Sequence, residues 1–125
     1  MIRETRVAPS HSLILVMDRT VGEIPETLNQ SLVAASQSCI AVGTRCADDG
    51  STFIALSDET PPDLPQQPPV VDRVIPTPSK KLSVCSVVGE VFVFLDVPKA
   101  RTRVQVWTND DMEPDKIWIR VGDLA

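Results

Sequence analysis

Arg103-Val104-Gln105-Val106-Trp107 and Lys116-Ile117-Trp118-Ile119-Arg120-Val121 alternate apolar and polar side chains. Such alternation marks β-strands, because successive side chains in a strand point to opposite faces. Val104 and Val106 belong to one face of the first run, and Ile117, Ile119 and Val121 to one face of the second. Arg103, Gln105 and Trp107 share the opposite face, as do Lys116, Trp118 and Arg120. If the runs pair as a hairpin, the apolar faces must match, which restricts the register. One allowed register sets Val106 opposite Ile119 and Val104 opposite Val121. It also sets Trp107 opposite Trp118 and Gln105 opposite Arg120.

Working outward, the same pattern recurs in short pieces. Strands are expected over residues 13–17, 39–45, 52–56, 70–75, 82–87 and 90–97, besides 101–108 and 116–121. Asp49-Gly50 and Val88-Gly89 are turn dipeptides, since glycine tolerates positive φ. They predict hairpins joining 39–45 to 52–56 and 82–87 to 90–97. A short helix or turn is expected near residues 26–32, where Pro25 suits a first turn and Leu28, Leu32 and Val33 fall on one face. About eight short strands punctuated by turns, with at most one short helix, predict an all-β antiparallel sandwich or jelly-roll-like fold. No long helices separate the strands, which argues against a parallel α/β sheet.

The chain has 125 residues, 42% of them apolar, which fits one domain over its whole length. Residues 1–12 are polar and read as a loosely ordered N-terminus. Residues 58–69 hold five of the eleven prolines and read as a proline-rich surface loop. No wholly apolar run exceeds Leu13-Ile14-Leu15-Val16-Met17, far short of the roughly 20 residues of a membrane span. The expected location is cytoplasmic, with no membrane partner. Cys39, Cys46 and Cys85 are odd in number and unrelated in spacing, so neither a disulfide framework nor a zinc site is expected. Cys39 and Cys85 read as core residues and Cys46 as the exposed thiol.

The net charge of −5 argues against a nucleic-acid partner, which needs a basic patch to neutralise phosphates. The sequence carries no recognisable catalytic set. The one histidine, His11, lies in a polar stretch and reads as a solvated side chain. No Gly-x-Ser-x-Gly elbow exposes a serine, and the scattered glycines form no phosphate cradle. No cofactor is expected and the protein reads as non-enzymatic.

Asp110, Asp111, Glu113 and Asp115 crowd one loop and are candidate calcium ligands. Asp48 and Asp49 crowd a second, and Asp58, Glu59 and Asp63 a third. Their spacing matches no EF-hand, and aspartate is favoured in turns for its local hydrogen bonds.

Phe94-Leu95-Asp96-Val97-Pro98-Lys99, followed by the alternating strand to Trp107-Thr108, resembles the late strand pair of the competence-associated inhibitors of a DNA-entry nuclease. The strand ending in Pro76 is also similar to one in that family. This likeness is confined to the second half of the chain. It implies a β-sandwich that works by binding a protein, and an acidic inhibitor of a nucleic-acid enzyme fits the charge.

Two readings of function stand side by side. One is an interaction module of inhibitor or immunity type, binding a protein partner or a second copy through an exposed sheet face. Arg103, Gln105, Trp107, Trp118 and Arg120 are its candidate residues, tryptophan and arginine being enriched at binding hot spots. The tryptophan pair has an alternative fate, burial under the proline-rich loop or under the segment near residues 26–32. The other reading is a small-ligand or calcium-binding sandwich that uses the acidic loops, with a hydrolase a distant third.

Overall fold

The computed structural model describes residues 1–25 and 32–122. The helix or turn expected near residues 26–32 falls largely on 26–31, outside the described residues. The strands are β1 (Ile2–Val7), β2 (Leu13–Met17), β3 (Val33–Ala35), β4 (Cys39–Gly43) and β5 (Thr52–Ser57). They continue with β6 (Val71–Pro76), β7 (Lys81–Cys85), β8 (Val91–Asp96), β9 (Arg101–Thr108) and β10 (Lys116–Val121). They form two five-stranded sheets, ordered β1-β5-β10-β9-β6 and β3-β4-β2-β7-β8. The fold is an all-β sandwich, and its only helical pieces among the described residues are 3-10 turns at Ser10–Ser12 and Ala47–Asp49.

Alternation builds the interior. The first sheet contributes Ile54, Leu56, Val104, Val106, Ile117 and Ile119, and the second Ile14, Val16, Ile40, Val42, Leu82 and Val84. All of these are fully buried. Central β2 is apolar on both faces: Ile14 and Val16 enter this core, while Leu15 and Met17 join Cys39, Ala41 and Cys85 on the outer side. The turn after β2 folds back over that outer side, and Gly22 packs directly on Met17 where a Cβ would have no room.

The β9–β10 hairpin has the register read from the alternation: Trp107 opposite Trp118, Val106 opposite Ile119, Gln105 opposite Arg120 and Val104 opposite Val121. β7 and β8 likewise pair as a hairpin. Three features depart from expectation. First, residues 2–7, expected to be loose, form β1, which pairs antiparallel with β5 along its whole length. β1 is an edge strand, and edges carry charges such as Arg3, Glu4 and Arg6 because these discourage pairing with other chains. Second, the very short edge strand β3 pairs with β4. Third, β4 and β5 are not a hairpin. β4 lies in the second sheet and β5 in the first, where it pairs in parallel with β10. The turn chemistry at Asp49-Gly50 holds, with Gly50 at φ +132° under the Arg45 guanidinium. That turn carries the chain from one sheet to the other.

Candidate functional site

On the outer face of the first sheet, Trp107 and Trp118 lie side by side beside Ala55 and Phe53. They are not open to solvent: Trp107 is 8% and Trp118 4% exposed. Residues 58–69 form no strand and lie across the pair. Leu64 packs on the rings, the Trp118 indole N–H donates to Asp63 Oδ1 at 3.1 Å, and the Trp107 indole N–H donates to the Gln67 carbonyl at 3.1 Å. The Gln67 side-chain amide donates in turn to the Thr108 carbonyl at 3.1 Å. A proline-rich segment suits this role because its stiff backbone loses little entropy on being laid down. The face assignment holds for both strands, and of the two fates open to the tryptophan pair the structure has cover by the proline-rich loop, not an exposed binding face.

The polar candidates on that face are also engaged. Arg103 forms a two-pronged pair with Asp72, at 2.8 and 2.6 Å, and Gln105 donates to the same carboxylate at 3.4 Å. The Arg103 guanidinium holds the Asp72 carboxyl below its ordinary range, against a smaller opposing effect of burial. Arg120 is half-buried, and its Nε has no hydrogen-bond partner.

Of the four calcium candidates, Asp111 and Glu113 are exposed, and Asp110 and Asp115 are engaged by their own loop and its neighbour. Asp110 Oδ2 accepts from the backbone N–H groups of Met112 and Glu113, at 3.0 and 2.7 Å, which lowers its pKa. Asp115 accepts from the Asn109 amide at 2.6 Å and lies 3.5 Å from the Arg45 guanidinium. Arg45 also donates to the Asp49 carbonyl, tying the two acidic loops together at one end of the sandwich. Among the described residues no three His, Cys, Asp or Glu side chains gather as a metal would require. His11 is exposed, as the sequence implies.

A different feature stands open on the outer face of the second sheet. A cleft of about 350 Å³ lies between the turn after β2 and the edge strand β8. Asp18, Arg19, Thr20, Ser79, Lys81, Ser83, Val91 and Phe94 line it. Asp18 is its buried anchor, 1% exposed. One carboxylate oxygen accepts from the Thr20 N–H and hydroxyl at 2.9 and 2.7 Å, and the other from the Ser79 N–H at 2.8 Å. Burial alone would raise the Asp18 pKa, but these hydrogen bonds outweigh it and hold the group below its ordinary value. The carboxylate thereby clamps the end of β2 to the turn before β7.

Phe94 is 42% and Val91 37% exposed, and they supply the apolar wall. An odd spacing along a regular strand would send them to opposite faces. A β-bulge in the β7–β8 pair, where the register shifts between Val84 and Cys85, reverses the alternation and brings both to the outer side. Two cations flank the ring: Lys81 Nζ lies 4.7 Å from its centroid, and the Arg3 guanidinium carbon, reaching over from β1, lies 5.8 Å away. Both are within cation–π range. The sequence signal was legible in part, since Lys81 and Ser83 alternate with Leu82 and Val84; the bulge hid the rest.

The thiols fall where expected: Cys39 and Cys85 are buried and Cys46 is exposed. Burial, with a smaller contribution from the neighbouring Cys85, pushes the Cys39 thiol up to about 12. Burial also raises Cys85, partly offset by the charge of Arg19.

The molecule is thus an all-β sandwich that carries, on the outer face of its second sheet, a phenylalanine cleft flanked by cations. Among solved structures it is similar in fold to ComJ from Bacillus subtilis, an inhibitor of the DNA-degrading activity of NucA. That match has a TM-score of 0.66 at 14% identity and covers 99% of each chain. It is also similar to a protein described as crocagin biosynthetic gene J, with a TM-score of 0.58 at 14% identity, over 100% of this chain and 98% of the other. No family model and no curated protein matches. The resemblance read from the second half of the sequence is one of fold and extends over the whole chain.

Proposed function

We propose that the protein is a non-enzymatic interaction module of inhibitor or immunity type, which binds a protein partner through the outer face of the second sheet around Phe94. The observation that carries this reading is the Phe94 ring, left 42% exposed between Lys81 and Arg3 on the wall of the cleft. Phenylalanine and arginine are among the residues enriched at protein interfaces, and here Phe94 lies exposed with Arg3 beside it. The tryptophan face, which the sequence offered for this purpose, is already covered by the chain's own loop. The whole-length fold likeness to an inhibitor of a nuclease supports the class of function. An inhibitor of this kind acts by occupying its partner's surface. A stable contact buries roughly 1,200–2,000 Å² in total, so the cleft would hold one anchor and the surrounding strands the remainder.

The test compares Phe94→Ser with the unaltered protein in native mass spectrometry of complexes purified from its own cells. The variant should keep its thermal midpoint and lose the co-purifying protein. Retention of that protein by the variant would refute the assignment of the face. Sedimentation of the purified chain over a range of concentrations reads self-association separately.

A further inference from the structure

We infer that the Phe94 cleft accepts an acidic segment of a protein partner, in which one apolar side chain seats against Phe94 and Val91 while flanking carboxylates meet Arg19, Lys81 and Arg3. This inference rests on the interaction reading above and names the chemistry of the partner. The argument is one of charge. The chain carries 17 acidic and 12 basic side chains, yet Arg19 and Lys81 line this one cleft and Arg3 lies beside the Phe94 ring that walls it. The single carboxylate lining the cleft, Asp18, is buried and has both oxygens occupied by hydrogen bonds. Its hydrogen-bond donors are neutral, so it stays ionised, and Asp96, opposite Lys81 in the β7–β8 pair, is exposed; against Arg19, Lys81 and Arg3 these two carboxylates leave a balance of one positive charge.

A modest local balance suits a short acidic segment better than nucleic acid. Charges interact over a screening length of about 8 Å at physiological salt, so a peptide laid in the cleft senses the local cations. A long polyanion also senses the net charge of −5 and is repelled. The apolar wall, moreover, rewards an aliphatic or aromatic side chain, which a phosphate backbone lacks.

The test is an NMR titration of the folded, isotope-labelled protein with peptide probes. One is an Asp/Glu-rich peptide with a single central Leu; the second replaces that Leu by Ser; the third replaces the acids by Lys. A single-stranded oligodeoxynucleotide is the fourth probe. The acidic Leu peptide should shift the resonances of Arg19, Lys81, Val91 and Phe94, and its binding should weaken as salt is raised. Phe94→Ser should weaken it about tenfold, as should the pair Arg19→Glu with Lys81→Glu, in the range of hot-spot effects. All three substitutions fall at the surface, and thermal melts confirm that the variants are folded. Equal or tighter binding of the Lys peptide, displacement by the oligonucleotide at the same resonances, or no shift at millimolar peptide would each overturn the inference. The cellular complex separates this failure from failure of the broader reading. A partner lost on Phe94→Ser but kept on charge reversal leaves the interaction face standing and refutes the acidic segment. A partner indifferent to both refutes the face itself.

Discussion

Replacing Trp118 by alanine tests whether residues 58–69 truly roof the first sheet. The side chain is 4% exposed and wedged among Trp107, Ala55, Phe53 and Leu64. An aromatic side chain of this size buries about 150–250 Å². At about 25 cal/mol per Å² that corresponds to about 4–6 kcal/mol. The extended-chain reference overstates burial by roughly 10–40%, which brings the figure to about 2–5 kcal/mol. Loss of the hydrogen bond to Asp63 adds little, because Asp63 is exposed and turns to water. Against a total stability of about 5–15 kcal/mol, the variant should remain folded but be much weakened. Its thermal midpoint should fall by about 6–25 °C for a chain of this size. Urea unfolding followed by far-ultraviolet circular dichroism reads this without relying on the removed fluorophore. Trp118→Phe, which removes the indole nitrogen and two ring carbons but keeps a six-membered ring in place, should cost less than the alanine variant, about 1–2 kcal/mol, chiefly through the smaller buried surface. A loss below about 1 kcal/mol for the alanine variant would mean that the ring lies on an open face, and the account of the loop as its cover would be wrong.

Deleting Pro65-Gln66-Gln67-Pro68 removes both Gln67 hydrogen bonds and re-exposes part of Trp107, so stability should fall by about 2–3 kcal/mol; an unchanged urea midpoint would contradict this. Native protein treated with a thiol reagent should be modified at Cys46 first, and at Cys39 and Cys85 only as denaturant opens the sheet. Rapid modification of all three would contradict their placement. Asp18 titrates below its ordinary range when folded, so its stabilising contribution is complete above about pH 4 and is lost as pH falls through the lower folded value. Asp18→Asn should therefore show a shallower decline of stability with acid, and an identical slope would remove Asp18 from that account.

How far the sequence reached depended on what each kind of pattern encodes. In β9 and β10 the apolar alternation assigns a face to every side chain, and face matching sets the pairing, so Trp107 against Trp118 could be read directly. Alternation says nothing of what lies above a face, which left both fates of the tryptophans open until residues 58–69 were seen across them. In β1 the charges that protect an edge also erase the apolar signal by which a strand is recognised. Asp49-Gly50 announces a turn, but a turn between paired strands and a turn between sheets have the same local chemistry. The cleft was the least legible feature. It needs a bulge that puts Val91 and Phe94 on one side, together with Arg19 and Arg3 brought from β2's far end and from β1.

The position of β10 in the first sheet has a consequence for how the protein is made. It is the last strand in the chain, yet it lies at the centre of the order β1-β5-β10-β9-β6. Every strand of the second sheet precedes residue 97, so that half needs nothing beyond β8 to pair. The other half does. Until β10 docks, β1–β5 and β9–β6 are separate two-stranded ribbons, each with unpaired edges and neither able to persist alone in water. Closing the gap in parallel with β5 joins residues about 60 positions apart, the kind of distant pairing that slows folding. If the second sheet pairs first, the folding chain passes through a stage in which its hydrophobic inner face has one finished wall and one split wall. That stage, rather than any weakness of the completed sandwich, is where aggregation or chaperone capture would compete with folding.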